Sequence, residues 1–352
     1  MPHPTPPPAP NWRARWLTTW ARLRASGRTL WRRSRAALPQ GLARAGIGLN
    51  GRPEAAATGE FTEGWFGIDS PRRYMLYEPA SRSRGRSPLL VLLHGCQQSA
   101  DEFAAATRMN EAAEDVGMYV LYPEQSAVAN ALRCWNWYGV PDHWHSGGDA
   151  PLLAAMTRQV LRDHDLDATR VYVAGMSAGG GMAAVLARDH PQLFAALGVH
   201  SGVPAGLAHD VFSALRLMAR GPAQSATQAT ALAAEQAADQ AAPPTIVFHG
   251  DEDTTVHPAN GKAIHAAPNG NGSVQPPMPS VQTTTPPQVG QRGFTRTVEP
   301  GPDRTTRREL WIIHGAGHAW AGGSDAQRHT DAEGPDASQE MLRFFLQHRR
   351  GA

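Results

Sequence analysis

The chain has 352 residues, 41% of them hydrophobic, and a formal net charge of +2 at pH 7. That apolar content suffices for one large α/β domain with appendages, and so small a net charge argues against a nucleic-acid partner for the whole protein. No apolar run reaches the roughly 18 residues of a membrane-spanning helix, and the two cysteines, Cys96 and Cys134, are too few for a disulfide-stapled scaffold and lack the C-x-x-C spacing of a zinc site.

The charge is unevenly distributed. Nine arginines and no acidic residue precede Arg52, so the remainder is net negative. Residues 1–60 read as an extension. Met1 to Pro10 is proline-rich and extended. Between residues 11 and 42, Trp12, Trp16, Trp20 and Leu23 recur at helical spacing among arginines. This is the pattern of a basic amphipathic helix, which lies on an anionic lipid or polymer surface, packs on the body, or forms a transit-type extension. A secretory signal needs about 7 to 15 uninterrupted apolar residues and a small-residue cleavage site, and the segment reads as supplying neither.

Residues 61–352 read as the body. Arg72 to Pro79 predicts a first strand pair, and Leu89 to Leu93 is an uninterrupted apolar run, as in a strand covered on both faces. It ends in His94-Gly95-Cys96-Gln97-Gln98. Asp101 to Asp115 predicts a helix and Met118 to Pro123 a strand. The aromatic cluster from Arg133 to Tyr138 then lines an apolar substrate groove or plugs the space under a long loop, with the groove preferred. Asp149 is the candidate N-cap of a helix over Leu152 to Arg162. The run from Val171 feeds Gly175-Met176-Ser177-Ala178-Gly179, and Met182 to Arg188 is helical. Leu193 to Val199 predicts a strand. Residues 204–243, rich in alanine and glutamine, predict a helical cap-like insert. Thr245 to Phe248 predicts a strand with Asp251, Glu252 and Asp253 in the loop at its C-terminal end. Residues 268–302 read as a loop excursion in which Phe294 is isolated. Glu309 to Ile313 is the last strand, followed by His314 to Trp320, and Asp336 to His348 predicts a C-terminal amphipathic helix with Met341, Phe344, Phe345 and Leu346 on one side.

Gly-x-Ser-x-Gly between a strand and a helix is the setting of a nucleophile elbow, and serine, acid and histidine follow in the chain order of an α/β-hydrolase. The expected fold is therefore a mostly parallel central sheet with helices on both faces, plus the N-terminal basic extension. Ser177 would attack an acyl carbonyl, His318 would take and return the proton, and Asp253 would fix the imidazole tautomer. His318 is preferred to His314, which sits at the strand terminus, and Asp253 to Asp251, which is expected to stabilise its own turn. The amides of Ala178 and Cys96 are the candidate oxyanion donors. The remaining histidines default to surface or satisfied core positions.

Together, His94-Gly95-Cys96-x-Gln98, Cys134-Trp135-Asn136-Trp137, Gly175-Met176-Ser177-Ala178-Gly179-Gly180, His249-Gly250-x-x-Asp253-x-x-Val256 and Gly317-His318-x-Trp320 resemble the poly(3-hydroxybutyrate) depolymerase family of esterases, relatives of feruloyl and acetyl-xylan esterases. The resemblance runs from about Arg72 to Trp320. It implies a Ser177, Asp253 and His318 triad, oxyanion donors at Cys96 and Ala178, polyester contacts at Trp137 and Trp320, a Cys96–Cys134 disulfide, and neither metal nor other cofactor. Many secreted members carry a leader, a threonine-rich linker and a C-terminal polymer-binding domain, none of which is read here. The expectation is a cytoplasmic or granule-associated esterase of polyhydroxyalkanoate or its oligomers, held on a granule or membrane surface by residues 11–42. The alternatives are a small-ester hydrolase, an extracellular location, and a non-catalytic granule-surface protein.

Overall fold

A computed structural model describes residues 58–67, 71–81, 85–139, 148–223, 242–267, 279–301 and 305–351. The expectations for the basic extension, including residues 11–42, and for parts of the cap-like insert and the 268–302 excursion lie outside the described residues.

Strands β1 (Glu60–Phe66), β2 (Arg72–Glu78), β3 (Leu89–Leu93), β4 (Tyr119–Pro123), β5 (Val171–Met176), β6 (Ala196–His200), β7 (Thr245–Gly250), β8 (Val281–Thr285), β9 (Phe294–Pro300) and β10 (Thr306–Ile313) form one sheet. Their order is β1-β2-β4-β3-β5-β6-β7-β10-β9-β8. The segment from β4 to β10 is parallel, and antiparallel strands flank it on both sides. The parallel strands β3 to β7 are buried throughout, because helices cover both faces.

The period of two along a strand divides the core into two layers. Leu89, Val91 and Leu93 point to one side, where α3 (Asp149–Asp163) and α4 (Ala178–Asp189) pack through residues such as Leu153, Met156, Met182 and Val185. Leu90 and Leu92 point to the other, against α1 (Ala100–Thr107), α2 (Met109–Val116) and the C-terminal helix, through Phe103, Met109, Met341 and Phe345. The helices α5 (Val211–Arg220) and α6 (Ala259–His265) add Leu217 and Ile264 to the first layer. A two-residue pair, β11 (Trp320–Ala321) with β12 (Thr330–Asp331), precedes the C-terminal helix α7 (Ala337–Phe345), which Asp336 caps.

Several elements differ from the sequence reading. Arg72–Glu78 is a single strand, and its partner β1 is exposed along most of its length, so no apolar alternation marks it. The helix predicted over Asp101–Asp115 is two helices, broken where Arg108 takes a left-handed φ of 53°. The first of them is fixed by a capping box in which the Ser99 hydroxyl accepts from Glu102 N and the Glu102 carboxylate accepts from Ser99 N. The 268–302 excursion contains β8 and β9, which extend the sheet beyond β10. Phe294 is therefore not isolated, since its ring lies 4.9 Å from that of Trp311. Leu346, expected on the buried side of the last helix, is exposed.

Candidate active site

Ser177 stands between β5 and α4 with φ 57° and ψ −122°, a strained conformation for a residue with a side chain that costs on the order of 1–3 kcal/mol. The elbow is tight enough to dictate its neighbours. A Cβ on Gly175 would lie 2.5 Å from the Gly179 carbonyl, and one on Gly179 would lie 2.1 Å from the Leu93 carbonyl oxygen. Only glycine at both positions lets α4 approach β3 and β5 so closely. The elbow is held from below by Ser177 N donating to the His200 carbonyl at 3.0 Å.

Two strands away, the loop after β7 carries Asp253, which is 4% exposed. Its Oδ1 accepts from the amides of Thr255 (2.9 Å) and Val256 (2.8 Å), and its Oδ2 accepts from His318 Nδ1 at 2.7 Å. Burial pushes the Asp253 carboxyl up, but hydrogen bonds from His249 and His318, the His318 charge and the Val256 amide together hold it well below the usual carboxylate range. With Nδ1–H committed to Asp253, the lone pair of His318 is on Nε2. His318 lies in the loop after β10, the neighbour of β7. Ser177, Asp253 and His318 therefore all leave the C-terminal ends of parallel strands, at one edge of the sheet. No hydrogen bond joins the Ser177 hydroxyl to His318 among the described residues; such contacts in unliganded sites often tighten only around substrate.

The neighbouring pair is kept apart from this site. His314 Nδ1 donates to Asp251 Oδ2 at 2.9 Å, and its Nε2 accepts from the Thr295 hydroxyl at 2.9 Å, so both ring nitrogens are occupied. Asp251 Oδ1 also accepts from Gly315 N at 2.7 Å. The Asp251 carboxylate, expected to stabilise its own turn, instead bonds to His314 and Gly315 and so ties the loop after β7 to the loop after β10.

The amides of Cys96 and Ala178 have no protein acceptor among the described residues. Gly95 places the first of these beside Ser177, since a Cβ on Gly95 would lie 3.6 Å from Ser177 Cβ. A disulfide joins Cys96 to Cys134, pinning this loop to the one that carries the aromatic cluster.

That cluster corrects the groove reading. Trp137 is 5% exposed, packs edge-on against Tyr138, and fills the space that a side chain at Gly181 would take. Trp320 is 0% exposed, stacks on His200 at 5.0 Å and donates through Nε1 to the Ser338 hydroxyl at 3.1 Å. Neither ring presents a face to a polymer, because each is enclosed by the loops and helices behind the site. The cluster is a hydrophobic plug. Asp149 is likewise not an N-cap. Gly148 holds that position, and the buried Asp149 carboxylate accepts from Asn136 N, Asn136 Nδ2 and Gln125 Nε2 at 3.0, 3.0 and 2.7 Å, which fastens the Cys134–Tyr138 loop.

Two fully buried histidines lie close to Asp253 and Ser177. His249 donates from Nε2 to the Val256 carbonyl at 2.7 Å and lies 3.5 Å from Asp253 Oδ2, the oxygen that also accepts from His318. His200 accepts from Ala321 N at 3.0 Å, and burial, with the charges of His249 and His318, pulls it down to about 3. The signal was present in the sequence, since His94, His200, His249 and His314 all stand at or next to the C-terminal ends of parallel strands. Among the described residues, no cluster of three or more His, Cys, Asp or Glu side chains is placed to hold a metal ion, and no helix is long and apolar enough to cross a membrane.

Comparison with known proteins finds esterases among the relatives of this chain. The chain is 30% identical over 256 residues to poly(3-hydroxyalkanoate) depolymerase C of Paucimonas lemoignei, covering 72% of this chain and 60% of that protein. It is 32% identical over 216 residues to feruloyl esterase B of Thermothelomyces thermophilus, covering 58% and 71%. The structure of an acetyl xylan esterase from Aspergillus awamori superposes with a TM-score of 0.62 over 82% of this chain and 100% of that one, at 20% identity, and so supports the α/β-hydrolase fold. Residues 72–268 match the family model described as esterase PHB depolymerase, and the chain belongs to that family.

Proposed function

We propose that this protein is a serine esterase that cleaves the ester bonds of polyhydroxyalkanoate or its oligomers through an acyl-enzyme. The observation that carries the reading is the 2.7 Å bond from His318 Nδ1 to the buried Asp253, at the sheet edge that also holds the strained Ser177. In the proposed reaction, His318 Nε2 takes the hydroxyl proton as Ser177 Oγ attacks the acyl carbon. The carbonyl oxygen becomes an oxyanion, which accepts from the Ala178 and Cys96 amides. Asp253 stays ionised and stabilises the imidazolium, which then protonates the departing alcohol. Water, activated by the same imidazole, releases the acid and restores Ser177.

The polymer reading is supported by family membership and by the depolymerase relative, of whose length the chain spans 60%. A small-ester hydrolase is the second reading, favoured by the feruloyl and acetylxylan esterase relatives. Turnover of polymer emulsions, 3-hydroxybutyrate oligomers and soluble aryl esters separates the two, with Ser177→Ala as the control. Polymer or oligomer hydrolysis is expected; turnover of aryl esters alone would favour the second reading.

Residues 11–42 are proposed to hold the enzyme on a granule or membrane surface. Deleting residues 1–60 should weaken binding to native granules and leave aryl-ester hydrolysis intact; unchanged granule binding would discard the anchor. The Cys96–Cys134 disulfide favours an oxidising compartment over the cytoplasm expected from the sequence.

A further inference from the structure

The Cys96 amide can serve an oxyanion only if the Gly95–Cys96 peptide is held in one orientation, and the hydrogen bonds around His94 determine how this is done. His94 is 1% exposed. The amide of Gln125 donates to its Nε2 at 3.0 Å, so that nitrogen carries no proton. Its Nδ1 lies 2.7 Å from the Gly95 carbonyl oxygen, which can only accept, so Nδ1 carries the proton. The tautomer is thus fixed by its partners, and burial pushes the ring pKa down, keeping it neutral. In a trans peptide the carbonyl and the following N–H point in opposite directions. With the Gly95 carbonyl held toward the imidazole, the Cys96 N–H faces away from it, and that amide has no protein acceptor among the described residues.

The clamp is itself braced. Trp135 Nε1 donates to the His94 carbonyl at 3.0 Å, and Gly95 N donates to Gln98 Oε1 at 2.9 Å. Gln125, whose amide sets the tautomer, uses its side chain to donate to the Cys134 carbonyl at 3.2 Å and to Asp149 at 2.7 Å. Gln125 therefore bridges His94 to the loop that carries Cys134.

We infer that His94 is a positioning residue for the oxyanion site: its Nδ1–H holds the Gly95 carbonyl and so aims the Cys96 amide at the substrate oxygen. This rests on the serine-esterase reading above. Two variants separate the two ring nitrogens. His94→Asn keeps an N–H donor near the place of Nδ1 and loses the acceptor for Gln125 N; His94→Gln carries its amide further out, keeping an acceptor for Gln125 N and losing the donor to Gly95.

The assay is steady-state hydrolysis of a soluble aryl ester, together with the affinity of an arylboronic acid, which forms a tetrahedral adduct on the serine. His94→Gln should lower kcat by about 100-fold, the effect of losing one oxyanion donor, with KM little changed and boronate affinity lowered in step with kcat. His94→Asn should restore most of kcat. Equal losses in the two variants, a change confined to KM, or an unaltered boronate affinity in His94→Gln would overturn the inference. Should neither variant fold, nitrogen NMR of the wild-type protein still decides: a protonated Nδ1 and bare Nε2 on His94 are expected, and the reverse tautomer would overturn it. Full activity in Ser177→Ala would instead overturn the parent reading, whereas a silent Ser177→Ala with an unaffected His94→Gln removes only the role given to His94.

Discussion

Replacing both Cys96 and Cys134 by alanine tests how the loop after β3 is tied into the fold. The bond spans a sequence separation of 38 residues, which include α1, α2 and β4. In the chain-entropy model a closure of that length removes about 13 cal/mol/K from the unfolded chain, or about 4 kcal/mol at 25 °C. Residues Glu54–Ala352 form one unit, for which an unfolding entropy of roughly 2 cal/mol/K per residue implies about 0.6 kcal/mol/K. Losing the bond should therefore lower Tm by about 6 °C. The assay is thermal unfolding of wild type and double variant under identical conditions, with thiol labelling of the denatured, unreduced wild type. No labelled cysteine is expected in the wild type. Two labelled thiols, or a double variant that melts within about 1 °C of the parent, would refute the reasoning.

Asp253→Asn should lower kcat for a soluble ester by roughly 10³–10⁴-fold, because the amide no longer selects the His318 tautomer with a free Nε2, while circular dichroism remains native; near-normal turnover would contradict the assigned role. For Asp253 itself, the depressed carboxyl means that its contribution to stability is present above the ordinary aspartate range and drains away as pH falls below it. His200 acts through the opposite ionisation: its folded pKa of about 3 lies below the ordinary histidine value, so stability is full above about pH 6.5 and declines as pH falls from there toward the folded value. Urea titrations at pH 7 and pH 4.5 should show a smaller acid loss in His200→Gln than in wild type, and equal losses would remove His200 from the account. Trp320→Phe should lower Tm and leave KM unchanged, as befits a buried ring; a raised KM with unaltered stability would restore it to the substrate surface. Gly179→Ala should abolish activity and destabilise the protein by at least about 3 kcal/mol, since the new methyl meets backbone at 2.1 Å and no side chain can yield.

The parts of the fold legible in the sequence are those written in local pattern. Leu89–Leu93 advertises a doubly covered strand by having no polar face, and Gly175 and Gly179 mark the elbow because only their spacing allows the close approach. The flanking strands are a different case. β8 reads Val-Gln-Thr-Thr-Thr and is almost wholly exposed, so the hydrogen bonds to β9 hold it in the sheet without any apolar face to announce them. The break at Arg108, where φ is 53°, carries no glycine or proline to announce it. Trp137 and Trp320 show why aromatic density on a loop does not identify a substrate surface. A ring filling a void and a ring lining a groove have the same sequence signature, and only burial separates them. The roles of His94 and His200 depend on partners far away in the chain, Gln125 and Ala321, whose backbone amides have no sequence signature at all.

The claim on which the account turns is that Ser177 is a nucleophile activated by His318. Treating the purified protein with phenylmethylsulfonyl fluoride and mapping the adduct by mass spectrometry tests it most directly. The account predicts one equivalent of label on Ser177, loss of esterase activity in proportion to labelling, and greatly slowed labelling in His318→Ala. Label on another residue, or labelling that proceeds at the wild-type rate without His318, would contradict it.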